Sequence, residues 1–414
     1  MSARRVVFIG AAGEMCRVAI ERFAKADGEW DLVLCDIRSE ILEPLVKRLP
    51  AGCATVRRLD LFDRRTLRDV VDGAALVVLG AGPYVRTSGP VIEACLEAKV
   101  PYLDFDDDVE STEHALYLHE KATAAGIPIY VGCGASPGMS NVMAVDAAND
   151  LDSVERIDLC WLVGDERPDV GRAVLEHMLH ISAGDCLTWE NGRRVNHETF
   201  VESDTFPILA GEPEVLLYET AHPEPVTLPN RYPDAKRIRC VGGLDPAPLN
   251  GFFRGMGLAI QNGKIAQKDA VDFVHNVVTG GLGTPSGWKH SISGMRAQVK
   301  RGDSTSGLMW KFLGVSALRR TFPYKGGLLT QVRGTKDGKP AVSGRRTQML
   351  PGYAMNNMGG VTGTACAAFA LLALDEVGQR AGAFAPEGWA DPQAFYKALE
   401  RVGVPRQQIV ESVR

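Results

Sequence analysis

One stretch near the start of the chain, residues 5–36, constrains the fold more than any other. Residues 6–9 form a short apolar run that is β-branched at three of its four positions, which is typical of a buried strand. Gly10 and Gly13 follow at once, and after them come a segment of helical periodicity and a second apolar run that ends in Asp36. The order strand, glycine turn, helix, strand and acid predicts a βαβ unit with a ligand at its turn.

A dinucleotide is the ligand that requires this order. A tight turn lets backbone N–H groups approach a pyrophosphate at the helix N-terminus, where the helix dipole favours an anion. Gly10, Gly13 and Cys16 have the spacing of a G-x-x-G-x-x-G variant in which Cys16 takes the third place. Asp36 lies roughly 20 residues beyond the last glycine, where a carboxylate can bind the adenosine ribose. The alternative is a βαβ unit with a bare turn.

The next hundred residues continue the alternation of strands and helices. Residues 75–79 form a continuous apolar run before the turn 80–84, and residues 102–105 lead into an acidic segment. A further strand is predicted at 127–131. We therefore predict a doubly wound parallel sheet through about residue 135. The glycine-rich turn that follows opens a helix and marks a domain boundary.

The regular alternation of predicted strands and helices ends after residue 150. Hairpin turns are indicated at 190–193 and 336–339, so we expect an α+β part with a mixed or antiparallel sheet. A helix rich in glycine and alanine is predicted near the end of the chain. The predicted strands include 154–163, 255–261, 298–300 and 308–312, and the predicted helices include 173–181, 268–278 and 361–377.

Composition narrows the class of protein. The chain has 414 residues, enough for two or three domains, and its net charge of -5 gives no support to nucleic-acid or anionic-membrane binding. Nine cysteines show no C-x-x-C spacing, so we expect reduced thiols in a cytoplasmic protein rather than a zinc site or a redox dithiol. We expect no signal peptide, and we expect the apolar helix around 365–374 to be too short to span a bilayer.

Several segments resemble the saccharopine dehydrogenase (reductase) family. They are GAGPY at 80–84, YLDFDDD at 102–108, GCGASPGMSNVMA at 132–144, VRGTKDGKPA at 332–341, VTGTACAAFALLAL at 361–374 and GAFAPEGW at 382–389. The likeness is greatest to the branch of lysine 6-dehydrogenase and carboxynorspermidine dehydrogenase. It implies a Rossmann domain formed by 1–137 and 360–414, to which the C-terminal helix returns. It also implies an α+β domain at 138–359 for substrate binding and dimerisation, and hence a homodimer.

The resemblance also implies an activity. The expected protein is an NAD(P)-dependent oxidoreductase that moves a hydride between the nicotinamide and a C–N or C=N bond of an amino acid or polyamine-like molecule. Two alternatives remain open: a reductase of a C=C (enoyl) or C=O bond on the same fold, and a dinucleotide-binding regulator without catalysis.

The candidate catalytic residues follow the predicted strands and one helix. Tyr84 resembles the family's residue beside the nicotinamide, with a half-buried surface aromatic as the alternative. Asp104 and Asp106 are expected to point at the nicotinamide end, because ligands bind at the carboxyl ends of parallel strands; a solvated acidic loop is the alternative. His177 and His180 lie one helical turn apart on a helix at the interdomain cleft, and no third ligand is spaced for a metal. The predicted catalytic residues are Tyr84, Asp104, Asp106 and His180, and no metal site is predicted.

The candidate cofactor site combines the glycine turn with later loops. Asp36 favours NAD because it would repel a 2′-phosphate, whereas Arg38 could pair with that phosphate, so NADP stays possible. Asp60 and Leu61 match positions that contact adenine in the family, although Asp60 can equally be a turn residue. The predicted cofactor-binding residues are Gly10, Ala12, Gly13, Glu14, Met15, Asp36, Ile37, Arg38, Asp60, Leu61, Gly80, Ala81, Gly82, Pro83, Ser136 and Pro137.

Overall fold

The computed structural model describes residues 3–167, 170–375 and 378–413. The strands are β1 Arg4–Ile9, β2 Trp30–Asp36, β3 Ala54–Arg58, β4 Leu76–Leu79, β5 Tyr102–Asp104, β6 Pro128–Tyr130, β7 Ser153–Val163, β8 Asp185–Glu190, β9 Arg193–Glu198, β10 Ser203–Phe206, β11 Val215–Glu219, β12 Arg237–Leu244, β13 Gly326–Lys336, β14 Lys339–Met349, β15 Gly382–Phe384 and β16 Glu411–Val413. The α-helices are α1 Glu14–Phe23, α2 Glu43–Val46, α3 Arg64–Val71, α4 Tyr84–Ala98, α5 Val109–Tyr117, α6 His119–Ala125, α7 Met139–Ala148, α8 Arg172–Ile181, α9 Glu224–Thr227, α10 Pro248–Gln261, α11 Gln267–Val278, α12 Pro285–Arg301, α13 Ser306–Ala317, α14 Met358–Asp375 and α15 Pro392–Arg401.

A seven-stranded parallel sheet forms the first domain. Its strand order is β15-β6-β5-β4-β1-β2-β3, so the chain reverses direction across the sheet between β1 and β4. The buried parts of the central strands are apolar because helices cover both faces, and residues 6–9 of β1 are at most 2% exposed. The prediction of a doubly wound Rossmann sheet is confirmed. In such a sheet ligands bind beyond the carboxyl ends of the strands at the point of reversal.

The last part of the chain returns to this sheet. Helix α14 packs against α1, where an added Cβ on Gly363 would lie 2.4 Å from the carbonyl oxygen of Met15. Strand β15 then extends the sheet beside β6. The predicted return is therefore observed, although the helix begins earlier than predicted and position 377 of that prediction lies outside the described residues.

Helix α14 also corrects the expectation about its length. Its 18 residues make it long and apolar enough to cross a membrane by length and composition alone, and 89% of this segment is buried inside the protein. Its hydrophobicity on all sides is what a core helix between two packed layers requires.

The second domain is built on a mixed sheet. The strand order is β10-β11-β12-β7-β13-β14-β16, with β8 and β9 attached beside β12. Both predicted hairpins are present, since β8 pairs with β9 and β13 pairs with β14. Strand β16 pairs with β14, so the chain ends on this second sheet and not on the first domain. Helix α7 packs on β13 and β14 and links the two domains.

Three predicted strands are wrong. Residues 255–261, 298–300 and 308–312 lie in the helices α10, α12 and α13. Short apolar runs cannot be assigned to strand or helix from sequence alone when the element is buried on more than one side. Helices α10 and α13, together with α8 and α11, contribute to one wall of the cleft described next, and α12 packs against α10.

Candidate active site

A cavity of about 1200 Å³ lies between the two domains. Its first wall contains the β1–α1 turn, the β4–α4 turn and the start of α5. Its second wall contains α8, the end of β7 and the helices α10 and α11. The cleft therefore lies at the carboxyl ends of the first sheet, where the topology places a dinucleotide.

The β1–α1 turn fits a pyrophosphate. Gly10 has a φ of +85°, and an added Cβ there would lie 2.6 Å from the backbone nitrogen of Ala81. Gly13 is the N-cap of α1 and has no side chain to satisfy the N–H groups of the first turn. Cys16 is fully buried under Gly80, where any larger residue would clash. These features leave bare backbone donors at a helix N-terminus, which suits a bound phosphate.

Asp36 holds the β1–α1 turn through hydrogen bonds to the backbone. Its carboxylate accepts hydrogen bonds from the backbone N–H of Ala12 at 2.9 Å and of Arg38 at 2.9 Å. Arg38 is exposed at the edge of the cavity, and its guanidinium forms no ion pair within the described part of the chain. Arg58 lies opposite Asp36 on β3 and is also exposed. The adenosine end of the cleft thus carries more positive than negative charge.

The other predicted cofactor residues separate into two groups. Ile37 and Asp60 are exposed and do not line the cavity, and the Asp60 carboxylate accepts a hydrogen bond from the backbone N–H of Phe62, as a turn residue does. The cavity wall also does not include Gly10, Asp36, Leu61 and Ala81. The predicted residues that line the cavity are Ala12, Gly13, Glu14, Met15, Arg38, Gly80, Gly82, Pro83, Ser136 and Pro137.

Tyr84 lies in the cavity wall beyond the β4–α4 turn. Its side chain is 6% exposed, it packs edge-on against Phe105 at 6.0 Å, and its hydroxyl has no hydrogen-bond partner. Burial and the nearby Asp104 raise the pKa of Tyr84, so the hydroxyl keeps its proton. A buried phenol without a partner that faces a cavity is a ready donor to a ligand.

The predicted roles of Asp104 and Asp106 do not fit the structure. Both side chains are fully buried and neither lines the cavity. Asp104 accepts hydrogen bonds from the Tyr102 hydroxyl at 2.7 Å and the Gly132 N–H at 2.8 Å, and Asp106 accepts from Ser111. The two carboxylates stabilise the loop through these buried hydrogen bonds, because the backbone turns after β5. The same turn directs the next residue, Asp107, into the cavity.

Asp104 should therefore affect stability and not chemistry. Burial raises its pKa from 3.8 to about 6, against the opposing effect of its hydrogen bonds. Because the folded state holds this proton more tightly than the unfolded chain, the stabilisation is complete below about pH 4 and is lost as the pH rises through about 6. We expect Asp104→Asn to flatten this fall in stability, which is on the order of 3 kcal/mol, and to leave turnover per folded molecule within a few-fold. Thermal unfolding from pH 4 to 8, with turnover on the same preparation, checks both; a drop in turnover of 10²-fold would return Asp104 to the mechanism.

His177 on α8 reaches across the cleft to the acidic loop. Its Nε2 lies 3.3 Å from a carboxylate oxygen of Asp107, and its Nδ1 lies 3.5 Å from Asp108. Burial lowers the pKa of His177, but the two carboxylates outweigh burial, and the pKa is raised. His180 also lines the cavity but is exposed one turn further on. The structure thus brings His177, and not the predicted His180, to the carboxylates.

A second histidine completes the cluster. The rings of His177 and His222 meet edge-to-face at 6.0 Å, and His222 Nδ1 lies 3.6 Å from the buried carboxylate of Glu224. Glu224 in turn accepts a hydrogen bond from the Ser136 hydroxyl at 2.5 Å, so a predicted cofactor residue is tied to the second domain. Nothing in the sequence connected residue 177 with 107 or residue 222 with 136.

Two of these clusters carry donor atoms that metals accept. The donor atoms of His222, Glu224 and Cys240 lie within 4.8 Å of one another, and these residues are buried. The donor atoms of Asp107, Asp108 and His177 also lie within 4.8 Å of one another, and these residues are half-buried. Several of these side chains are already held in place by hydrogen bonds and ion pairs that need no metal. The expected lack of a metal site stays a prediction.

Comparison with known proteins agrees with this geometry. Residues 6–129 match the family described as "Saccharopine dehydrogenase NADP binding domain". Apo saccharopine dehydrogenase (L-Glu forming) from Saccharomyces cerevisiae has the same fold, with a TM-score of 0.65 at 13% identity over 100% of both chains. The first domain is therefore an NAD(P)-binding domain, as predicted.

Two curated proteins are similar to this chain over part of their length. Carboxynorspermidine synthase from Vibrio alginolyticus is 30% identical over 205 residues, which are 44% of this chain and 47% of that protein. A trans-acting enoyl reductase from Mycobacterium leprae is 26% identical over 137 residues, 31% of this chain and 32% of that protein. The chain thus matches about half the length of the first relative.

Proposed function

We propose that this protein is an NAD(P)-dependent oxidoreductase acting on a C–N or C=N bond of a small amine. The observation that supports this proposal is the group formed by Asp107, Asp108 and His177 beside Tyr84, at the end of the dinucleotide cleft. A bound nicotinamide would supply or accept the hydride. The chain must then stabilise charge and handle one proton.

The residues present suit a cationic substrate. The Asp107 side chain is 36% exposed and faces the cavity, so its carboxylate can lie against an iminium or ammonium nitrogen. Coulomb attraction is stronger there than in water because apolar walls lower the local dielectric. His177 holds Asp107 and Asp108 in place, and it can pass a proton between the substrate nitrogen and solvent. The Tyr84 hydroxyl remains available as a donor to substrate or cofactor.

We also propose that NADP is the preferred coenzyme. The support is the free guanidinium of Arg38 at the cavity edge, together with Asp36, whose two carboxylate oxygens already accept backbone N–H groups. This departs from the preference for NAD drawn from Asp36 alone. That preference rested on repulsion by a carboxylate, and here Arg38 and Arg58 offset this charge.

Arg38→Ala should weaken NADP by roughly tenfold or more and change NAD little, because only the 2′-phosphate needs the guanidinium. Calorimetric titration with both coenzymes measures the two dissociation constants. Arg65→Ala, which removes an exposed arginine on α3 outside the cavity, is the matched control. If unmodified protein binds NAD more tightly and Asp36→Ala weakens NAD most, the preference for NAD stands.

The activity itself is tested by a substrate screen. Purified protein with NADP⁺ or NAD⁺ is mixed with primary amines, secondary amines and amino acids, and the absorbance of the reduced nicotinamide is followed. Oxo acids, aldehydes and enoyl thioesters are tested with the reduced coenzymes, with amines added to the carbonyl compounds. Turnover that requires an amine supports the proposal. Reduction of a C=C or C=O bond without amine would replace it with the alternative reductase activity, and coenzyme binding without turnover would favour a regulator.

The homodimer and the cytoplasmic location stay proposals. The sequence likeness supports dimerisation through the second sheet, and Val342 on β14 and Leu350 after it are exposed apolar residues, 43% and 38% exposed. A monomeric mass at micromolar concentration in light scattering would count against the dimer.

A further inference from the structure

The part of the cavity beyond the acidic cluster is built mainly from apolar side chains. Helix α8 contributes to both ends: His177 lies beside Asp107, and Met178 and Ile181 of the same helix line the cavity together with apolar residues of α10, α11 and α13. The remaining inner walls come from α10, α11 and α13. Their lining residues are Leu249, Phe252, Phe253, Val277, Val278 and Phe312, none more than 8% exposed.

Most charged and polar groups of this region lie at its edge or are already paired, and the half-buried His275 of α11 is the exception. Arg172, Glu176 and Gln267 line the cavity but are exposed at its mouth. The guanidinium of Arg167 is bound by Asp165 at 2.6 Å and stacks over Phe312 at 5.3 Å. A second ammonium or carboxylate on the substrate would therefore lose its hydration in the inner part without gaining a partner.

We infer that the substrate carries an uncharged hydrocarbon or aromatic arm next to the reacting nitrogen, and that this arm fills the compartment between α8, α10, α11 and α13. For the polar end of the substrate this inference rests on the proposed function, in which Asp107 and Asp108 bind the reacting nitrogen. It excludes polyamines, whose second charge would have to enter the apolar compartment.

Binding of simple amines tests the arm without requiring turnover. Full-length protein saturated with NADP⁺ is titrated in a calorimeter with n-butylamine, n-hexylamine and n-octylamine. Burial of each methylene should lower Kd about fourfold, so hexylamine should bind on the order of tenfold more tightly than butylamine. The matched probe, 1,6-diaminohexane, should bind at least tenfold more weakly than hexylamine. Equal affinities along the series, or a diamine as tight as the monoamine, would overturn the inference.

Two further measurements separate this inference from the proposed activity. Butanol, hexanol and octanol carry the arm without the cation; if only they show the gain with length, the compartment is confirmed and the amine proposal fails. Leu249→Trp should fill the compartment and abolish the dependence on chain length, whereas Leu318→Trp, at a residue 68% exposed, should retain it. A length dependence unchanged in Leu249→Trp would place the arm elsewhere, and the series on unmodified protein stands even if that variant does not fold.

Discussion

His177→Ala should lower kcat/KM by on the order of 10²-fold, whereas His180→Ala should change it by no more than a few-fold. The two histidines lie one turn apart on α8, but only His177 reaches the carboxylates of Asp107 and Asp108, and His180 is exposed at the mouth of the cavity. The substrate for the measurement is the best compound from the amine screen. The two variants form a matched pair because they remove the same side chain from the same helix.

The pH profile gives a second result for the same pair. The carboxylates raise the pKa of His177 despite its burial, so the imidazolium persists above the pH at which a free histidine loses its proton. In the unmodified protein kcat/KM should show a limb at that raised pKa, and His177→Gln should remove the limb while His180→Gln retains it. A larger loss of activity in His180→Ala than in His177→Ala would restore the sequence-based prediction and remove the acidic cluster from the mechanism.

Gly10→Ala should weaken dinucleotide binding by more than about 10²-fold and destabilise the protein. A methyl group at this position would lie 2.6 Å from the backbone nitrogen of Ala81, so the β1–α1 and β4–α4 turns must move apart exactly where the pyrophosphate binds. The positive φ of +85° adds a cost of about 1–2 kcal/mol for any residue with a Cβ. Fluorescence titration with NADPH and thermal unfolding measure the two effects.

Gly52→Ala is the control for this variant. Gly52 has a similar φ of +78°, but an added Cβ there meets no atom within 4 Å. It should therefore show the conformational cost alone, with normal coenzyme binding. If Gly10→Ala bound NADPH as well as Gly52→Ala does, the glycine turn would not be the pyrophosphate site.

Some of the site could be predicted because its parts are close in sequence. The glycine turn, Asp36 and the strands around them form one continuous βαβ unit, and its local pattern reports its structure. Tyr84 follows a strand in the same way and does line the cavity. Asp104 and Asp106 were expected to point at the nicotinamide end, but the sequence could not show where β5 ends. The chain turns after Asp104, and this turn buries Asp104 and Asp106 and directs Asp107 to the cleft.

The sequence by itself determined the first domain, its class of cofactor and the two hairpins of the second domain, because each depends on short-range periodicity and turn chemistry. The tertiary structure alone decided which histidine lies beside the acidic loop, since His177, His222 and Asp107 come from three distant segments. It also decided that α10, α12 and α13 are helices and that α10 and α13 help to enclose an apolar compartment. Their apolar runs suit a buried strand as well as a buried helix, and only the packing of α8, α10, α11 and α13 around one cavity distinguishes the two.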